Sequence, residues 1–266
     1  MASMPYKDIT SSPPFTFVVG PDEKEHTIHS ALVAHQSEAL NALINGGMKE
    51  SIERRVIWKE ISEEVFIDFS QYVYTGDYDG AKPSKREVPG RVAPLRVSPI
   101  GDACWIPPHL RKKGKSESSI WTKKRLLWHK FQALDPLPSQ DSAPSLGSSA
   151  ICDYTDVFLS HARMYVFADY YGIDPLQILA LHKLLRALIL FDDQGGSCGD
   201  IIQLVRYSFE QTVDKWDQDD ELRSLVCLYA ACQVEDLWKD TEFKDIMKTL
   251  PDFSTGLITA MLDRLD

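Results

Sequence analysis

Long apolar runs are missing from this 266-residue chain. The most apolar stretch, Leu179 to Phe191, is broken by His182, Lys183 and Arg186, so no membrane-spanning helix is expected. The start, MASMPYKDITSSPP, lacks both a basic opening and an apolar core, and does not read as a secretory signal. Cysteine is sparse and unpatterned: five residues stand at 104, 152, 198, 227 and 232. An odd count without a leader points to reduced thiols in cytosol or nucleus rather than a disulfide framework. No nucleophile elbow, phosphate loop or dinucleotide fingerprint is present, so the enzyme classes built on those motifs have no support.

Metal-ligand spacing is also missing. His26 and His29 are three apart on a predicted strand, hence on opposite faces. Cys227 and Cys232 are five apart on a predicted helix and point about 140° away from each other. Asp214, Asp217, Asp219, Asp220 and Glu221 lack the central glycine and distal glutamate of a calcium loop, and read as a helix start. Neither a catalytic set, a cofactor nor a metal is expected.

What is present is an ordinary globular composition, 44% hydrophobic and 26% charged, with a charge imbalance inside it. Residues 80–153 hold 13 Lys and Arg against 6 Asp and Glu, or +7. The rest holds 16 against 33, or −17, which together give the net −10. The same basic segment contains nine of the fifteen prolines and ten serines. It reads as a largely disordered insert in an acidic body, with a short helix within Trp121 to Leu134.

The body alternates strand and helix signals. Phe15 to Val19 alternates and ends at a Gly-Pro-Asp turn, and Lys24 to His29 reads as its antiparallel partner. Ser30 and Ser37 are placed to cap two short helices, the second stopped by Asn45-Gly-Gly47. Arg55 to Ile61 is a third strand. Ser62 then caps a helix whose Val65, Phe66, Phe69, Tyr72 and Val73 fall on one face, with Gly76 as terminator. Beyond the insert, Asp156 and Asp174-Pro175 open two helices, the second apolar on nearly every side and therefore central. Asp200 and the stretch before Leu222 open further helices, and Phe243 to Leu250 and Phe253 to Leu265 close the bundle. The expected class is α+β. Its expected order is a flexible start (1–14), a first body segment (15–79), the insert (80–153), closing helices (154–190) and a C-terminal helical extension (191–266).

Taken in order, His29, Ser37, Gly46-Gly-Met-Lys-Glu-Ser51, Ser62-Glu-Glu-Val-Phe-Ile-Asp-Phe69 and Tyr72-Val-Tyr-Thr-Gly-Asp-Tyr78 resemble the BTB/POZ domain. Ala162 to Leu176 resembles its next helix and turn. Leu204 to Glu210 with Glu221 to Val226 is similar to the helical extension of BTB proteins from filamentous fungi. The resemblance covers residues 15–79 and 154–266. It implies a small three-stranded sheet flanked by helices, no catalytic chemistry, and a scaffold role in binding other proteins. It also raises self-association as a homodimer. In BTB adaptors of cullin-based ubiquitin ligases, a hydrophobic residue and a glutamate two positions on contact the cullin. Met48 and Glu50 match that pattern, an adaptable apolar anchor beside a carboxylate.

Two further candidates lie in the insert. Trp105, Leu110 and Arg111 resemble a short tract in the arms of some DEAD-box RNA helicases, where an aromatic, a leucine and a basic residue dock on a translation factor. Lys112, Lys113, Lys115, Lys123, Lys124 and Arg125 form a basic patch with Trp121 and Trp128 nearby. Base stacking and phosphate contacts there make a nucleic-acid-associated or translation-associated regulator the alternative reading.

Overall fold

The computed structural model describes residues 4–85, 123–135, 152–194, 197–214 and 219–262. A short helix, α1 (Tyr6–Ser11), falls in the stretch expected to be a flexible start. It is tied down because Ile9 packs on the core and the Ser12 hydroxyl accepts from the Ala31 amide at 3.4 Å. β1 (Pro14–Val19) and β2 (Lys24–His29) form the expected hairpin, with Phe15 opposite Ile28 and Phe17 opposite His26.

α2 (Ser30–Ala34), α3 (Glu38–Asn45) and α4 (Lys49–Glu53) carry the chain to β3 (Arg55–Trp58), which lies parallel to β1. A parallel neighbour needs a crossover of this kind, and it gives the strand order β2-β1-β3. Ser37 caps α3 by accepting from the Leu40 amide at 3.1 Å. Ser30 caps nothing: it is the first residue of α2, and His29 holds the cap position without a side-chain bond. β3 ends at Trp58, short of the expected Ile61, because β1 runs out. Gly20, the last residue bonded to it, turns away at φ 72°.

α5 (Glu63–Thr75) follows the sequence closely. The Ser62 hydroxyl accepts from the Val65 amide, all five residues of the apolar face are buried, and Gly76 ends the helix at φ 78°. The chain then leaves through β4 (Ser84–Lys85), passes through α6 (Lys123–Gln132) and returns at β5 (Cys152–Asp153). Ser84 pairs with Asp153 and Lys85 with Cys152, so the base of the insert is clamped by an antiparallel rung. Residues 86–122 and 136–151, read as disordered from the sequence, lie outside the described residues.

The short helix expected within Trp121 to Leu134 is α6, and it is docked on the body rather than loose. Leu127 and Phe131 are buried, Phe131 lies 5.5 Å from the Tyr229 ring, and Arg186 holds Asp135 at 3.2 Å. Amphipathic spacing drives this docking despite the run of basic residues around it.

α7 (Thr155–Tyr171) and α8 (Asp174–Gln194) form the central pair, α8 running four residues past the expected end. Leu176, Ala180, Leu184 and Leu188 are fully buried along it. The bundle continues with α9 (Cys198–Gln211), α10 (Glu221–Cys232), α11 (Val234–Leu237), α12 (Thr241–Thr249) and α13 (Pro251–Leu262). Two expected caps move. Tyr154, not Asp156, holds the cap of α7, and Ser197 caps α9. Asp200 is instead buried in the first turn of α9, accepting from the Tyr154 amide and the Thr155 hydroxyl, both at 3.2 Å. Within the acidic stretch read as a helix start, Asp220 caps α10. Phe17, Trp58, Phe69 and Phe167 join the sheet to α7 through ring contacts of 4.8 to 6.4 Å, in one core shared with the C-terminal helices.

Candidate functional site

Met48 and Glu50 sit where a chain reversal pushes side chains outward. α3 ends at Gly46, Gly47 turns at φ 74°, and the Met48 carbonyl opens α4 by accepting from the Ile52 amide at 3.1 Å. Arg54, left-handed at φ 51°, ends it after five residues. Met48 is 67% exposed, Ile52 75%, and Glu50 half-buried. Four residues apart on a helix, Met48 and Ile52 lie side by side, making an apolar pair beside a carboxylate. Ile52 was not among the sequence candidates. Its signal was the i+4 spacing from Met48, legible only once a helix begins there.

A second surface lies beyond β3. Trp58, Arg163, Tyr170, Tyr171 and Tyr207 line a groove of about 740 Å³ between β3, α7 and α9. No sequence motif marked it, because its residues come from three distant segments.

The stretch Gln71-Tyr-Val-Tyr-Thr-Gly-Asp-Tyr-Asp-Gly80 ends in a buried polar cluster. Tyr78 is 1% exposed and its hydroxyl meets His161 Nδ1 at 3.0 Å. Lys183 lies over the Tyr78 ring at 4.9 Å and bonds Asp77 at 2.7 Å. Burial, helped by the positive Lys183, pushes the His161 imidazole down to about 4, so it is neutral at pH 7. Burial likewise raises the Tyr78 phenol and the Asp68 carboxyl. Gly80 has φ 71°, and a Cβ there would stand 2.6 Å from His161 Cε1. Replacing Gly80 with Ala is expected to cost about 1–3 kcal/mol through the left-handed backbone and the clash together. At about 2–4 °C per kcal/mol, calorimetry would show it as a drop of several degrees in Tm. An unchanged Tm would contradict this packing.

The insert candidates separate. Trp105, Leu110, Arg111, Lys112, Lys113 and Lys115 lie outside the described residues. Lys123, Lys124 and Arg125 form the first turn of α6, and the Arg125 side chain is exposed. Trp128 is not free for base stacking: it is half-buried, stacked on Phe131 at 5.3 Å and set edge-on to Tyr229. Burial pushes the thiols of Cys198 and Cys227 up to about 11 and about 12, so neither is a thiolate at neutral pH. Among the described residues no group of three or more His, Cys, Asp or Glu side chains is placed to hold a metal ion. Nor is any helix among them long and apolar enough to cross a membrane.

No known family model matches this chain, and no curated protein matches it.

Proposed function

We propose that this chain is a non-enzymatic protein-binding module of the BTB/POZ type, and that its α4 surface serves as a cullin-binding site of a ubiquitin-ligase adaptor. The observation that carries the reading is Met48 and Ile52 exposed together next to Glu50. An apolar pair that adds nothing to its own core, set beside a carboxylate, suits a partner presenting a hydrophobic pocket and a basic group. The order of elements also supports it: a small three-stranded sheet flanked by helices, as the resemblance implies.

Binding of a purified cullin scaffold to the full-length chain, followed by calorimetric titration, tests the reading. Replacing Met48 and Glu50 together by Ala is expected to weaken binding by about 10- to 100-fold, corresponding to about 1–3 kcal/mol from two anchors. Both residues are surface groups, so the variant keeps the wild-type Tm. Absence of cullin binding, or an unchanged affinity in the variant, sinks the adaptor assignment.

A further inference from the structure

The groove beyond β3 combines three features that point to one kind of occupant. The first is an open strand edge. The amides of Thr16 and Gly20 bond the carbonyls of Arg54 and Trp58 at 2.9 and 3.0 Å, so even-numbered peptide groups of β3 face β1. In a strand the N–H and C=O of one residue point the same way, and successive residues alternate. Those of Arg55 and Ile57 therefore point outward. No described residue bonds the Ile57 peptide groups, and the Ile57 side chain is 56% exposed.

The second feature is aromatic. Trp58 and Tyr171 meet at 4.9 Å on the groove wall, and Tyr170 stands 79% exposed at its rim, edge-on to Tyr171 at 4.9 Å. Rigid aromatic surface beside a free strand edge suits alternate side chains of an extended segment.

The third is a cation that no described residue bonds. Arg163, half-buried on α7, makes neither a hydrogen bond nor an ion pair with any described residue. It also lines the adjoining cleft that runs to Gly80. Glu64 lies within its field, the carboxyl held low first by its own amide, then by the Ser62 hydroxyl, and more weakly by Arg163. The planar guanidinium keeps a fork of donors that no described residue fills, and with Glu64 nearby it suits one carboxylate better than a phosphate dianion.

We infer that this groove binds an extended peptide of a partner protein, which adds as a strand to the outer edge of β3 and places an Asp or Glu side chain on Arg163. The chain's own segment 86–122 is a poor occupant, because it carries seven Lys and Arg against three acidic residues and would bring like charge to Arg163. The inference concerns a different surface from α4 and does not depend on the cullin assignment.

Panning a random dodecamer display library on the full-length protein tests it, with the recovered peptides synthesised and titrated by fluorescence polarisation. The expected peptides carry Asp or Glu in an alternating apolar frame. Arg163→Glu is expected to weaken them about tenfold or more, as is replacing the acidic residue in the peptide by its amide. Tyr170→Ala, at an exposed position that folding does not need, is expected to weaken them severalfold. The Met48 and Glu50 double-alanine variant binds them as wild type does. The inference is overturned if no peptide is enriched, if the enriched peptides are basic or neutral, or if Arg163→Glu and Tyr170→Ala both leave binding unchanged. It is equally overturned if sedimentation shows a dimer that Arg163→Glu dissolves, since a second copy would then fill the groove.

Discussion

Stability is expected to fall steeply as pH drops from 6.5 towards 4, and His161 is the reason. Its imidazole, 6% exposed, is pushed from the ordinary 6.5 down to about 4. Between those values the unfolded chain binds a proton that the folded chain refuses. Stability is therefore full above pH 6.5 and lost as pH falls through the window. At about 1.4 kcal/mol per pH unit, the loss is on the order of 3 kcal/mol, a large part of a typical domain's margin. The groups facing His161 are the Tyr78 hydroxyl and, beyond it, Lys183, Asp77 and Asp68. The Asp68 carboxyl, raised by burial, works in the opposite direction: its folded form takes up a proton first, so acidification favours the fold over that window. His161→Gln keeps a hydrogen-bonding partner for Tyr78 but cannot titrate. Urea unfolding at pH 4.5, 5.5, 6.5 and 7.5 should give a clearly flatter profile for this variant. Parallel profiles in the two proteins would remove His161 as the cause.

Removing Arg223 is expected to cost about 2–3 kcal/mol, through unpaired carbonyls and lost packing rather than a stranded buried charge. Its side chain is 7% exposed and ties together the end of α9, the following loop and α13. It bonds the Thr212 hydroxyl at 2.9 Å, the Phe209 carbonyl at 3.1 Å, Asp214 at 3.1 Å and also the Thr212 carbonyl. Asp252 lies 3.8 Å away, and the guanidinium covers the Phe209 ring at 4.7 Å. Arg223→Ala takes the donor from those carbonyls at a half-buried helix end. Arg223→Lys keeps the charge but not the planar fork, so it should fall between wild type and Ala. Chemical denaturation at pH 7 checks the order, and a loss below about 1 kcal/mol for the alanine variant would show the network to be dispensable.

Local signals were legible where a few neighbouring residues decide the outcome. Ser37 and Ser62 capped as expected, and Gly76 closed its helix in the left-handed conformation. The buried face of α5 could be listed residue by residue. Asp156 and Asp200 failed as caps because each was judged from its own helix alone. Asp200 has a stronger tertiary use, bonding the start of α7 from 45 residues away. α6 is a related case: Arg125, His129 and Lys130 are exposed, while Leu127 and Phe131 decide its place.

Met48 and Glu50 stand out in the sequence only through their resemblance to the cullin-contact pattern of BTB adaptors. Ile52 joined them only when Gly47 and Arg54 bounded a helix. The groove at Arg163 was invisible, since strand edge, aromatics and cation come from residues 57, 163, 170 and 207, and no linear pattern records an absent ion-pair partner. Periodicity, caps and composition thus determined the longer elements and the α+β class. The three-dimensional packing alone decided which charges are paired, that His161 lies neutral against Tyr78, and that no described residue pairs with the outer edge of β3. Those outcomes depend on distances between segments far apart in the chain, which packing sets and local propensity does not.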